Sequence, residues 1–178
     1  TEVLAYAMSK NPMGPYEYKG LIMAEHENGC WTNHHSIVNF KGQWYLFYHH
    51  NAFSPHFDKN RSAQIEKLYF NPDGTIQEVK PTLRGVGPIK ASQKVQIDRY
   101  SCIEGAAIEY LDTTDYFKGW KTVFAKAGDK VCFNEVNFGK KAPKTAVVCV
   151  KADAGAQLEI AAGKAVVSVE VPESQDWT

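Results

Sequence analysis

Short apolar runs rich in β-branched and aromatic residues, separated by polar turns, recur along this chain, and no apolar helical period persists for three turns. Ser36-Ile-Val-Asn-Phe40 and Gln43-Trp-Tyr-Leu-Phe-Tyr48 flank Lys41-Gly42, which predicts a tight hairpin. A further strand is expected over Ser62 to Phe70. Beyond the turn Asp112-Thr-Thr-Asp115, strands are expected over Trp120–Phe124, Gly128–Phe133, Thr145–Val150, Gln157–Ile160 and Val166–Val171, the pattern of a sandwich. The fold class is therefore all-β.

A length of 178 residues admits one domain or two small ones. Pro81-Thr-Leu-Arg-Gly-Val-Gly-Pro-Ile89 combines two prolines and two glycines and is the natural boundary, giving regions 1–88 and 89–178. All six histidines lie between His26 and His56, so the two regions differ in chemistry as well as in pattern. Basic and acidic residues balance at 20 each, eight of each sign up to Pro88 and twelve beyond it. No basic face is offered to nucleic acid, and an uncharged polysaccharide fits the balance. No apolar stretch is long enough for a membrane span, and the N-terminus carries no basic-then-apolar leader. The four cysteines lack metal-ligand spacing; they read as buried thiols, or as a bridge between Cys132 and Cys149 if their strands are neighbours.

The hairpin and its flanks resemble the last part of a glycoside hydrolase family 43 catalytic domain, a five-bladed β-propeller. The resemblance is carried by Leu4-Ala-Tyr-Ala-Met-Ser-Lys-Asn-Pro-Met-Gly-Pro-Tyr16, the Asn33-His-His-Ser36 start of the first hairpin strand, Tyr48-His49, Arg61-Ser62 and Phe70-Asn-Pro-Asp-Gly-Thr-Ile76, in the family's order. Gly128-Asp-Lys-Val-Cys-Phe-Asn-Glu-Val-Asn-Phe-Gly139 and the closing Val171-Pro-Glu-Ser-Gln-Asp-Trp-Thr178 resemble family 6 carbohydrate-binding modules, which are β-sandwich jelly rolls. The implied architecture is the last blade or blades of the propeller (1–88) followed by the first part of a module (89–178). By both resemblances the chain is expected to be cut from a longer enzyme at each end.

The resemblance to family 43 assigns His34 to the propeller centre beneath the sugar subsite, where it could face a hydrated cation, calcium in the first instance, through water. A neutral imidazole can orient such a water through one nitrogen while the other is anchored. Arg61 matches an arginine that reaches sugar hydroxyls and catalytic carboxylates, a task suited to a planar guanidinium with five donors. Trp31, in the loop before His34, is a candidate for the substrate edge. His35 points away from His34 by alternation and is read as structural, as are His49 and His50, one of which must face inward. Trp44, Leu46 and Tyr48 share one face and read as core.

In the second region the module resemblance assigns Phe124 and Trp177 to sugar stacking. Ser92 falls where the module family has a calcium-binding carboxylate, and its hydroxyl cannot supply that charge.

Family 43 enzymes invert at the anomeric carbon, which needs one carboxylic acid to protonate the leaving oxygen and one carboxylate to activate water. No cofactor is needed for that chemistry. The general acid, the general base and a third carboxylate that tunes the acid are all expected upstream of Thr1, and Asp58, Glu66 and Asp73 lack the family's motif. The resemblance thus implies a fragment of an arabinofuranosidase- or xylosidase-type hydrolase acting on arabinoxylan, xylan or arabinan, in a secreted, periplasmic or cell-surface protein. A non-catalytic glycan-binding protein and a family 43 galactosidase are the alternatives.

Overall fold

The computed structural model describes residues 2–26, 33–53, 59, 61–141 and 143–178. Contacts divide the chain into two compact units, Thr1–Gly139 and Lys140–Thr178. The described residues are all-β, with a single 3-10 turn at Tyr116–Lys118 as their helical content.

In the first unit, β1 (Leu4–Met8) and β2 (Glu17–Met23) form an antiparallel pair with two register shifts. Strands β3 (Ser36–Phe40), β4 (Gln43–His50) and β5 (Ser62–Leu68) form an antiparallel three-stranded sheet with β4 in the middle. The predicted hairpin forms: Phe40 pairs with Gln43, and Lys41 and Gly42 both take positive φ, 50° and 83°. Positive φ at both central residues gives the turn a twist that matches the flanking strands.

Leu46 and Tyr48 point inward from β4 and pack with Leu4, Ile22, Met23, Leu68 and Val79. Trp44, on the same face, lies at the rim, 38% exposed, with Phe70 edge-on at 5.5 Å. The loop after β5 is closed by Asp73, whose Oδ1 accepts from Thr75 N–H and Oγ1 at 3.0 and 2.6 Å. It returns the chain so that Ile76 N–H donates to the Tyr6 hydroxyl at 2.8 Å, tying this loop to β1.

The remaining strands of the unit are short: β6 (Ile89–Lys90), β7 (Cys102–Glu104), β8 (Ala107–Tyr110), β9 (Trp120–Val123), β10 (Lys130–Cys132) and β11 (Val136–Asn137). Pairs β7–β10 and β8–β9 are antiparallel, whereas β6–β11 is parallel. Register places Cys102 opposite Cys132, and the two form a disulfide with a Cα–Cα distance of 5.2 Å. That corrects both expectations for these cysteines: Cys102 and Cys132 are bridged instead of being buried thiols, and Cys149 is exposed and free, while Cys30 lies outside the described residues. Cysteine spacing alone does not determine connectivity, and strand pairing chose the partner.

The second unit holds a hairpin of β12 (Ala156–Ala162) and β13 (Ala165–Val171) in continuous register. The expected strand at Thr145–Val150 does not form. Among the described residues no strand pairs with it; Val147 is 97% exposed, and Val150 exchanges a pair of backbone hydrogen bonds with Thr178 at 2.9 Å each. Propensity without a paired neighbour does not make a strand.

Glu66 ties the following segment onto the sheet. Its Oε1 accepts from Thr82 N–H at 2.8 Å and Thr82 Oγ1 at 2.6 Å. Burial pushes the Glu66 carboxyl up, against the pull of the Thr82 hydrogen bonds and the nearby Arg84. A carboxyl raised in the folded state binds its proton more tightly there, so stability falls as pH rises past the ordinary carboxylate range. Glu66→Gln keeps an oxygen for Thr82 and should therefore raise the melting temperature at pH 7. That gain should shrink toward pH 4 in a thermal-melt series, and a lower melting temperature at pH 7 would contradict it.

Candidate functional site

One end of the β3–β4–β5 sheet gathers polar side chains from three chain segments. His34 and Asn33 lie just before β3, His49 and His50 end β4, and Arg61 precedes β5, because antiparallel pairing sets the start of β3 and of β5 beside the end of β4. His34 N–H donates to His49 Nε2 at 3.1 Å, and the two rings lie nearly parallel with centroids 5.6 Å apart. An accepting Nε2 leaves the His49 proton on Nδ1. Glu2 enters from the chain's start, its Oε2 accepting Asn33 N–H at 2.8 Å.

Burial, before any neighbouring charge, lowers the pKa of His26, His49 and His50. Burial lowers His49, Arg61 and His34 lower it further, and Glu2 opposes them. His50 is buried on the core side, with Nδ1 accepting Ala52 N–H at 2.8 Å. Burial first, then His26 and His49, pull it down to about 4. His26 meets the His50 ring edge-on at 5.0 Å and is lowered by burial and by His49.

Among the described residues, Asn33 Oδ1 and Nδ2, His49 Nδ1 and His26 Nε2 are buried and have no hydrogen-bond partner. Buried polar atoms in a native protein are normally satisfied by protein, water or ligand. This end of the sheet is thus equipped to orient polar groups: Arg61 and the imidazoles can donate, and the Asn33 amide can do both. The described residues do not compose a calcium shell. Asn33 and Glu2 offer oxygens and His34 a nitrogen, whereas calcium takes six to eight oxygens, and no group of three or more His, Cys, Asp or Glu is arranged to hold a metal. His34 could meet a cation only through water.

His34 and Arg61 are both solvent-exposed at this end of the sheet. Trp31 and Asp58 lie outside the described residues. Residues 1–76 match the model of glycosyl hydrolases family 43. The matched segment contains His26, His34, His49 and His50.

The chain is 44% identical over 80 residues to the beta-xylosidase of Xylanibacter ruminicola, covering 45% of this chain and 24% of that protein. It is 27% identical over 197 residues to the arabinoxylan arabinofuranohydrolase of Paenibacillus polymyxa, covering 98% of this chain and 30% of that protein. Among solved structures, a beta-xylosidase/alpha-arabinofuranosidase from a compost microbial metagenome, in complex with xylotriose and in a calcium-free form, is 42% identical over 45% of this chain and 24% of that one, with a TM-score of 0.42. The chain spans about a quarter to a third of the length of these curated relatives.

His49, Asn33 and Glu2 escaped the sequence reading as site members. The signal for His49 was present in the alternation of β4: with Leu46, Tyr48 and His50 buried, His49 falls on the other face. Glu2 carried no local signal, since its approach to Asn33 spans 31 positions. In the second region Phe124 is 43% exposed and Trp177, in the second unit, 46% exposed.

Proposed function

We propose that this chain is part of an inverting glycoside hydrolase acting on arabinose- or xylose-containing plant polysaccharide, with His34 and Arg61 supporting the sugar at the reacting centre. The observation that carries the reading is the family 43 match over residues 1–76, which covers the one sheet end where His34, His49, Arg61 and Glu2 meet. The matched relatives, a beta-xylosidase and an arabinoxylan arabinofuranohydrolase, favour a pentose-containing substrate. Arg61 offers paired donors to hydroxyls, and His34, held against His49, offers an oriented imidazole. The acid and base carboxylates of the inverting reaction belong to sequence upstream of Thr1 in this reading.

Residues 89–178 are read as the first part of a carbohydrate-binding module, in which the exposed rings of Phe124 and Trp177 are each available for sugar stacking. The 98% coverage by an arabinoxylan arabinofuranohydrolase supports one continuous enzyme through both regions. The Cys102–Cys132 disulfide supports an exported protein, since such bridges persist in oxidising compartments.

In the enzyme that carries the three carboxylates, His34→Ala and Arg61→Ala should each lower turnover of an aryl arabinofuranoside or xyloside at least tenfold without loss of fold. Tenfold corresponds to about 1.4 kcal/mol of transition-state stabilisation. Equal turnover in wild type and His34→Ala would remove His34 from the centre.

A further inference from the structure

The loop between β8 and β9 displays two aromatic rings to solvent on a rigid support. Asp112 knots the loop: its Oδ1 accepts Thr114 N–H at 2.8 Å and Thr114 Oγ1 at 2.6 Å, and its Oδ2 takes the Lys118 ammonium at 2.7 Å. Asp115 caps the 3-10 turn by accepting Phe117 N–H at 3.1 Å, and Leu111 N–H closes the base onto Gly119 O at 2.9 Å. From this knot Tyr116 stands 60% exposed and Phe117 is fully exposed, at 101%.

Tyr116 is also backed by a file of rings. It stacks on Tyr110 at 4.3 Å and 27°, Tyr110 stacks on Trp120 at 4.3 Å and 28°, and Trp120 meets Phe53 at 5.3 Å, with the Arg99 guanidinium 4.2 Å over the Phe53 ring. Tyr110 spends both faces inside the file. Tyr116, at its end, keeps its outer face free, and the packing behind it holds the ring's orientation. A loop cross-linked by its own carboxylates has no folding need to show a whole phenylalanine to water, and exposed aromatic groups of this kind mark binding surfaces.

The charges beside the rings select the ligand. Lys118 is paired with Asp112, and Lys121 with Glu109 across β8–β9 at 3.4 Å. Nucleic acid and anionic membranes are attracted by unpaired cations, which these pairs do not supply. Two rings fall far short of the roughly 800 Å² per partner of a stable protein interface. An uncharged sugar chain fits both limits: its C–H faces stack on flat rings, and its hydroxyls meet the neighbouring ammonium and carboxylate groups.

We propose that Tyr116 and Phe117 form a carbohydrate-stacking platform for an uncharged pentosan chain, made of residues other than Phe124 and Trp177. The proposal rests on the glycan-acting reading above and adds a contact to it. The platform would add a hold on the polymer outside the reacting centre, raising its effective concentration there.

The test is titration calorimetry of the 178-residue chain against soluble arabinoxylan and xylohexaose, with wild type, Phe117→Ala, Tyr116→Ala/Phe117→Ala and Phe124→Ala/Trp177→Ala, each checked by thermal melting. The double variant at the platform should lose affinity at least tenfold with an unchanged melt. Phe117→Ala, whose ring touches nothing the fold needs, should lose severalfold, and it stands as the deciding variant if the double one unfolds. Unchanged affinity in Phe117→Ala and in the folded double variant would overturn the platform, as would a wild type that binds neither glycan. So would loss, in the same variants, of self-association by sedimentation in place of glycan affinity. Hydrolysis of the aryl glycoside by the enzyme with its carboxylates is measured separately, so a failed platform is distinguishable from a failed hydrolase reading.

Discussion

Lowering the pH from 7 to 4 should remove about 3 kcal/mol of folding stability through His50 alone. The imidazole is 5% exposed, and its Nδ1 already accepts Ala52 N–H, so a proton there must be held in a dry site at the expense of a hydrogen bond. Burial, followed by His26 and His49, brings it from 6.5 down to about 4. Each unit of difference is worth about 1.4 kcal/mol, which over this range comes to about 3 kcal/mol. As the pH falls, the unfolded chain takes up its proton first. The stability is therefore fully present above about 6.5 and is lost as the pH falls toward 4. His26 and His49 are lowered as well and act in the same direction, whereas the raised carboxyl of Glu66 opposes them.

Against a typical domain stability of about 5–15 kcal/mol, such a loss is large. His50→Gln retains an oxygen that can accept from Ala52 and removes the titration. Denaturant midpoints at pH 7 and pH 4.5 should converge in this variant and stay well apart in wild type. An equally steep acid loss in His50→Gln would place the titration elsewhere.

Removing the Cys102–Cys132 bridge should cost about 3–4 kcal/mol, from the closure entropy of a loop of this length. The cysteines are 30 positions apart and pair strands β7 and β10, which share only three residue pairs. So short a ladder contributes little by itself, and the loop it closes carries β8, β9 and the Tyr116–Phe117 turn. Urea unfolding of Cys102→Ala/Cys132→Ala should shift to a lower midpoint, with Cys149→Ser in both proteins to remove the free thiol. Reductant should move the bridged protein by the same amount and leave the alanine variant in place. An unchanged midpoint would mean that side-chain packing alone holds this region.

The segment that matches the family 43 model was legible because its signals are local. Alternation in Gln43–Tyr48, together with a two-residue turn of lysine and glycine, sets a hairpin and the inward face of β4 before any distant contact is made. From Ile89 to Asn137 the strands are two to four residues long, and so short a strand carries little pattern. Thr145–Val150 has the composition of a strand and, among the described residues, no strand to pair with, whereas Ile89–Lys90 has almost no pattern and pairs in parallel with Val136–Asn137.

The same division runs through the site. From residue order alone came the all-β class, the hairpin and the clustering of histidines in the first region, and the resemblance to family 43 pointed to His34 and Arg61. Only the tertiary structure decided that His34 meets His49, that Glu2 reaches Asn33, that Cys102 takes Cys132, and that a file of rings stands behind Tyr116. The physical reason is range. Turn chemistry and side-chain alternation act over a few residues and are written in composition, whereas pairing partners, burial and the pKa of a histidine depend on which distant segments the folded chain brings into contact.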